Sequence, residues 1–360
     1  MIRQFRFIVL TSVAVFGVFS ACEHIRAADP VRVGLLGIDN FGSVAYTEFL
    51  NRPHAEGVFE GVRVVAAYPI GSDDYPDSDK LVASWKDQLL KMYQAPKDPK
   101  DAVPPIEMVN SVDELLKKCD AVMIFSMDGR LHLKQATEVL KAGKRLFISR
   151  PLASSPEDAV AILKLSAETK TPCWSSSQHR YSTGFSGMKN HPEVGRVIGC
   201  DVYGGWTVNA PEADKFTRPL HSIETLYTIM GPGVVSVTCT STPMVESITA
   251  VGNDGRVGTD RGIKEGAVKY SATVFGDKGV STAGIYGHGV PVKGIVPTED
   301  KYVGYEGLAI EMAKFLKGGP VPVSAAETLE IFALMQAAEV SKAQNGAVVR
   351  LQNLAKGIGE

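Results

Sequence analysis

The stretch "VRVGLLGIDNFGS", residues 31–43, decides the fold. An apolar run ends at a glycine, a short polar turn follows, and a second glycine opens a new pattern. Strand, tight turn, helix is the start of a dinucleotide-binding unit, whose usual spacing is Gly-x-Gly-x-x-Gly. Here the run is Gly37, Ile38, Asp39, Asn40, Phe41, Gly42, so an aspartate replaces the middle glycine. A helix N-terminus holds pyrophosphate with free N–H groups and the positive end of its dipole. Asp39 is spaced to act as the N-cap, turning its carboxylate to the N–H of Phe41 or Gly42. A phosphate oxygen about 4 Å from that carboxylate meets a repulsion of about 4 kcal/mol per unit charge at an effective dielectric of 20. This reading predicts weak pyrophosphate binding unless a cation or a shifted pose intervenes. It also predicts that Asp39→Gly raises nucleotide affinity.

Outward from this turn, apolar strand-like runs alternate with helical patterns to about Ser177. "VRVVAAYP" (62–69), "DAVMIFSM" (120–127), "KRLFISRP" (144–151) and "TPCWSSSQ" (171–178) read as strands. "SVDELLKKC", "HLKQATEVLKAGK" and "SPEDAVAILKLSAETK" read as helices, the last opened by Ser155 three residues before Asp158. Apolar strands alternating with helices predict a parallel sheet covered on both faces. Residues 70–105 form an insertion with one helical stretch and a Pro-rich loop. Beyond Gln178, long alternating runs such as "VIGCDVYGGWTV" and "VVSVTCTST" predict antiparallel strands, and two amphipathic helices close the chain. The predicted class is an α/β Rossmann domain, 29–178, followed by an α+β domain, 179–360, with a large open, mostly antiparallel sheet.

Residues 1–28 read as an export signal. Arg3 and Arg6 precede an uncharged apolar run, Phe7 to Ala21, and small residues follow. That run is shorter than the roughly 20 residues a spanning helix needs. "FSAC" ending at Cys22 is a loose lipoprotein-type site, and cleavage near Ala27 or Ala28 is the other option. The expected location is therefore periplasmic or otherwise extracytoplasmic, with a lipid anchor at Cys22 as a variant. Net charge is −2 with no basic cluster, which argues against nucleic acid. Cys119, Cys173, Cys200 and Cys239 form no Cys-x-x-Cys pair; buried thiols are expected and no metal site is indicated.

The order of landmarks resembles the glucose–fructose oxidoreductase, inositol dehydrogenase and MocA (Gfo/Idh/MocA) family. They are the turn at 37–42, "HLKQATEVLKAGKRLFISRPLA", "HSIETLYTIMG" and "AAEVSKAQNGAVVRL". The resemblance implies hydride transfer between NAD or NADP and a sugar or polyol, and an open sheet that carries contacts between copies. It implies cofactor contacts at Gly37, Asp39, Gly42 and Pro151. Where the family has Glu-Lys-Pro, this chain has Ser149-Arg150-Pro151; Arg150 keeps the charge but not the point donor. The family's Asp-x-Gly-x-His-x-x-Asp becomes Thr217, Arg218, Pro219, Leu220, His221, Ser222, Ile223, Glu224. His221 is the acid–base candidate, since imidazole titrates near neutrality, with Arg150 and Glu224 beside it as catalytic candidates. Gln178, Arg180, Lys215, Arg218 and Tyr227 are candidate substrate contacts, and His179 and Tyr181 share the stretch with Gln178. His132 aligns with a family histidine, while Asp73 and Asp74 fall later than the usual ribose acid. Two functions stay open: a nicotinamide-dependent oxidoreductase acting on a carbohydrate-like small molecule, and a non-redox descendant that binds carbohydrate or acts as a lyase or hydrolase.

Overall fold

The computed structural model describes residues 29–189, 191–206, 216–217, 219–266, 269–285, 287–289, 296–297 and 304–356. The proposed export signal and Cys22 lie outside them, as do Lys215 and Arg218. No helix among the described residues is long and apolar enough to cross a membrane.

The first half is a six-stranded parallel sheet. Its elements run β1 (Val31–Leu36), α1 (Gly42–Leu50), β2 (Val62–Tyr68), α2 (Ser78–Lys91), β3 (Glu107–Met108), α3 (Val112–Lys118), β4 (Ala121–Ile124), α4 (His132–Lys141), β5 (Arg145–Ser149), α5 (Pro156–Glu168) and β6 (Cys173–Ser176). The spatial order is β3-β2-β1-β4-β5-β6. The order reverses beside β1, where a doubly wound sheet opens a ligand crevice at its carboxyl edge. Local chemistry sets the boundaries. The hydroxyls of Ser111 and Ser155 accept the N–H of Glu114 and Asp158 at the starts of α3 and α5, each at 3.1 Å. The short β3 strand was not foreseen.

The second half begins with a short helix α6 (Thr183–Ser186) and continues with β7 (Val197–Gly205), α7 (Leu220–Met230), β8 (Val234–Ser241), β9 (Val245–Gly252), β10 (Val257–Ile263), β11 (Ser271–Gly276), β12 (Val280–Gly284), β13 (Gly287–Gly289), β14 (Val296–Pro297), α8 (Gly304–Leu316), α9 (Ala325–Ala343) and β15 (Val349–Arg350). Nine strands form one sheet, ordered β14-β13-β12-β11-β7-β10-β9-β8-β15. All pairs are antiparallel except β10 with β7. The cross-strand register aligns Thr238, Thr249, Thr259, Asp201, Thr273 and Thr282 in one row across six strands. Their neighbours Cys239, Ile248, Asp260, Cys200, Val274 and Ala283 are buried, so the row lies on the face turned away from α7 and α9. Free cysteines at 119, 173, 200 and 239 are all buried, as expected, and burial raises each thiol's pKa, to about 11 at Cys119.

The halves share their cores. Helix α8 comes from the second half, yet Leu308, Met312, Phe315 and Leu316 pack with Val33, Leu35, Phe147 and Trp174 of the first. The rings of Trp174 and Phe315 meet edge-on at 5.8 Å. On the other face of the parallel sheet, one apolar cluster runs from α4 and α5 through α7 to α9.

Candidate functional site

Gly37 sits at φ +72°, a left-handed conformation that favours glycine. A Cβ there would fall 2.1 Å from Ser126 Oγ. At Gly42 a Cβ would fall 2.9 Å from the Phe125 ring. Both glycines therefore press the turn against the end of β4. Asp39 corrects the expectation. Its side chain is wholly buried beneath the turn and makes no bond to Phe41 or Gly42. One carboxylate oxygen accepts the Met127 N–H at 2.8 Å and the other the Ser78 hydroxyl at 2.6 Å. Burial raises its pKa, opposed by those two bonds. Asn40 caps the helix instead, its Oδ1 accepting the Gly42 N–H at 2.8 Å.

The start of α1 is therefore not taken up by the Asp39 carboxylate. The N–H of Phe41, at the mouth of α1, has no partner among the described residues, and the buried carboxylate faces the floor. A cavity of about 850 Å³ adjoins it, lined by residues 70–79 and Val82. Asp73 and Asp74, late in sequence, line this cavity. Ile70 ties its wall to the turn, its carbonyl accepting the Ile38 N–H at 3.1 Å. The turn, this cavity and the carboxyl edge at Arg150–Pro151 are the surfaces that would hold a dinucleotide.

A second group gathers at the same edge. Ser177 follows β6, and its Oγ lies 2.6 Å from His221 Nδ1 on the first turn of α7. The His179 N–H donates to the same Oγ at 3.1 Å. The imidazoles of His179 and His221 stack at 4.5 Å, and Tyr270 meets His179 edge-on at 4.3 Å. Burial lowers the pKa of both histidines, and the charge of Arg150 lowers them further; His179 falls to about 3. Burial raises the Tyr270 and Tyr305 phenols, and Arg150 opposes it. Arg150 thus bears on all four groups. Tyr305, on α8, reaches back to Phe41 and Tyr46 with ring centroids 5.9 and 5.7 Å away.

Of the predicted residues, His221 is held by Ser177 at this edge, and Arg150, at the end of β5, helps to lower its pKa. It removes four others from the cleft. Glu224 is buried and accepts from Ser176 Oγ, the Ser177 N–H and Arg180 Nε at 3.0, 2.8 and 3.1 Å, so it is a structural acceptor. Arg180 is committed to Glu224 and to Glu327 of α9. Tyr227 is buried and donates to Glu330 at 3.0 Å on the α9 side. His132 is buried, its ring nitrogens 2.9 Å from the carbonyls of Pro151 and Ser126, strapping the ends of β4 and β5 together. Gln178 stands half-buried at the first residue of the turn after β6. Ser177, Tyr270 and Tyr305 were missed. Ser177 had a signal, since it directly follows a parallel strand at its carboxyl end; the tyrosines had none.

Residues 31–177 match the family model GFO_IDH_MocA, described as an oxidoreductase family with an NAD-binding Rossmann fold. No curated protein matches the chain. Among solved structures, the chain is similar to a myo-inositol dehydrogenase from Lactobacillus casei in complex with NAD(H) and myo-inositol. Identity is 18%, coverage is 90% of this chain and 97% of that one, and the TM-score is 0.65. The WlbA dehydrogenase from Bordetella pertussis, in complex with NADH and UDP-GlcNAcA, aligns at 18% identity over 90% and 99% of the two chains, TM-score 0.63. At such identity these likenesses speak to the fold. Residues 31–177 thus carry the NAD-binding Rossmann signature of the GFO_IDH_MocA oxidoreductase family, and the chain shares its fold with these dehydrogenases.

Proposed function

We propose that this chain is an exported nicotinamide-dependent oxidoreductase acting on a sugar- or polyol-like small molecule. The observation that carries the reading is the Ser177–His221 pair at the carboxyl edge of the Rossmann sheet, on the same edge as a glycine turn that keeps a free helix N–H; the charge of Arg150 helps to lower the His221 pKa. Export rests on residues 1–28.

A bound nicotinamide supplies the hydride acceptor or donor. The chain's residues manage proton and charge. The family match favours this redox chemistry, and no observation favours the lyase or binding-only alternative. Ser177 Oγ already accepts the His179 N–H, so its own hydrogen is free to reach His221 Nδ1. His221 then holds its proton on Nε2 and can donate a hydrogen bond to a substrate oxygen. In the alcohol-oxidising direction the tautomer reverses: Nδ1–H donates to Ser177 and Nε2 accepts the carbinol proton. A serine hydroxyl supports both forms because it both donates and accepts. Burial keeps His221 neutral, which suits a group that must take a proton. Arg150 cannot relay a proton; it stabilises negative charge developing on the reacting oxygen.

The test combines calorimetric titration with NADH and NADPH and turnover on a panel of sugars and polyols. His221→Ala should lower turnover roughly 10²- to 10⁴-fold, the usual cost of a lost acid–base group, with nucleotide affinity unchanged. If neither NADH nor NADPH binds the wild-type protein, this reading fails.

A further inference from the structure

We propose that the loop after β2 makes this chain take NAD rather than NADP: Asp73 accepts from the free 2′-hydroxyl of the adenosine ribose, and the carboxylates around it repel a 2′-phosphate. The inference rests on the nicotinamide reading. In a doubly wound sheet the adenosine ribose meets the chain beyond β2, usually at an acid. Here β2 ends at Tyr68 and Pro69 follows, so that acid is missing. The loop supplies it later. The cavity of about 850 Å³ beside the glycine turn is lined by Asp73, Asp74, Asp77 and Asp79, and by no lysine, arginine or histidine among the described residues. Asp74 is paired with Arg130 at 3.4 Å and Asp77 with Lys80 at 2.6 Å. Asp73 has no hydrogen bond or ion pair with the side chain of any described residue.

Asp39 holds this loop in place. Its carboxylate accepts the Ser78 hydroxyl at 2.6 Å, and Ser78 Oγ in turn accepts the Ser72 N–H at 2.9 Å. A Cβ on Gly71 would fall 3.0 Å from Asp39 Oδ2, so the loop presses on the floor of the turn. Ser72 donates its own hydroxyl to Asp128, beyond β4, at 2.6 Å. The aspartate that replaces the middle glycine thus anchors an acidic loop beside the turn. Arg130, the cation that reaches Asp74, is already held by both oxygens of Asp128, at 2.8 and 2.7 Å. An ionised carboxylate only accepts hydrogen bonds, so a hydroxyl suits it. A phosphate does not, because it carries roughly 1.5 to 2 negative charges at pH 7, and like charges repel across a cavity that no cation lines.

The experiment is a calorimetric titration of NADH and NADPH into wild type, Asp73→Asn and Asp73→Arg at one fixed salt concentration. Titrations of 5′-AMP and adenosine 2′,5′-bisphosphate read the adenosine end alone. On wild type, NADH should bind about tenfold or more tighter than NADPH, a gap between the aqueous and protein-surface limits for like charges a few ångströms apart. The bisphosphate should bind more weakly than 5′-AMP. Asp73→Asn should narrow the NADH preference severalfold, and Asp73→Arg should close or reverse it. Asp73 is exposed on its loop, so circular dichroism of both variants should match wild type. Wild-type protein that binds NADPH as tightly as NADH, or an Asp73→Arg variant that keeps the whole gap, overturns the proposal and leaves the nicotinamide reading standing. Binding of neither nucleotide removes both.

Discussion

Asp39 and Asn40 divide two tasks that the sequence pattern places on one residue. Asn40 caps the helix, and Asp39 ties the floor of the turn to the end of β4 and the start of α2. The effect of substitution reverses accordingly. Asp39→Gly should cost about 1–3 kcal/mol, because the Met127 N–H loses its acceptor in the interior. It should not tighten nucleotide binding. Chemical denaturation and NADH titration of the variant check both halves; a variant as stable as wild type would refute the assignment. The stacked histidines make a second prediction. Their folded pKa values lie below the unfolded value of about 6.5, so the unfolded chain binds protons that the folded one refuses. Stability should be full above pH 6.5 and fall as the pH drops toward about 3 for His179. The slope is ~1.4 kcal/mol per pH unit for each histidine. Stability measured across that window should fall less steeply in His179→Gln; identical slopes would show that the ring is not buried neutral.

The elements explain why some residues were legible and others not. Strand and helix positions in the Rossmann half follow from hydrophobic periodicity and from Ser111 and Ser155, whose cap signals act locally. His221 was legible because its landmark is contiguous. Glu224 sits three residues on, one helical turn away, and sequence spacing could not show that the polypeptide after β6 reaches it first. Arg180 was misread for the same reason: its partners lie on α7 and α9, far along the chain. Strands β9 and β10 went unread because their residues are largely small or polar. Arg180 now appears as the rivet joining the turn after β6 to two helices. Breaking one side of a buried ion pair typically costs about 3–5 kcal/mol. Arg180→Ala should therefore destabilise the protein on that scale, while Gln178→Ala, half-buried two residues before it, should cost far less. Urea unfolding of the two variants compares them directly, and equal stabilities would contradict the rivet.

At the scale of the molecule, the outer face of the nine-stranded sheet is the surface still to be accounted for. The threonine row lies beside half-exposed Val251 and Val257, and Val280 stands at 36% exposure on the same face. A broad sheet face of small β-branched side chains suits contact with a second copy, and the protein is expected to be a homo-oligomer through it. Val257→Arg should convert it to monomers by light scattering on a sizing column, and a monomeric wild type at high concentration would remove the expectation.

The placement of α8 has a consequence for how the chain comes into being. Synthesis runs from the N-terminus at roughly 5–20 residues per second, so Val33, Phe147 and Trp174 emerge long before Phe315 and Leu316 arrive to cover them. A nascent Rossmann half has every strand it needs and lacks one wall. For those seconds its apolar flank is a surface that a chaperone can recognise, and the half cannot close prematurely into a finished domain. A fragment ending at residue 178 should accordingly be made in full and recovered mostly in aggregates, however complete its sheet looks on paper.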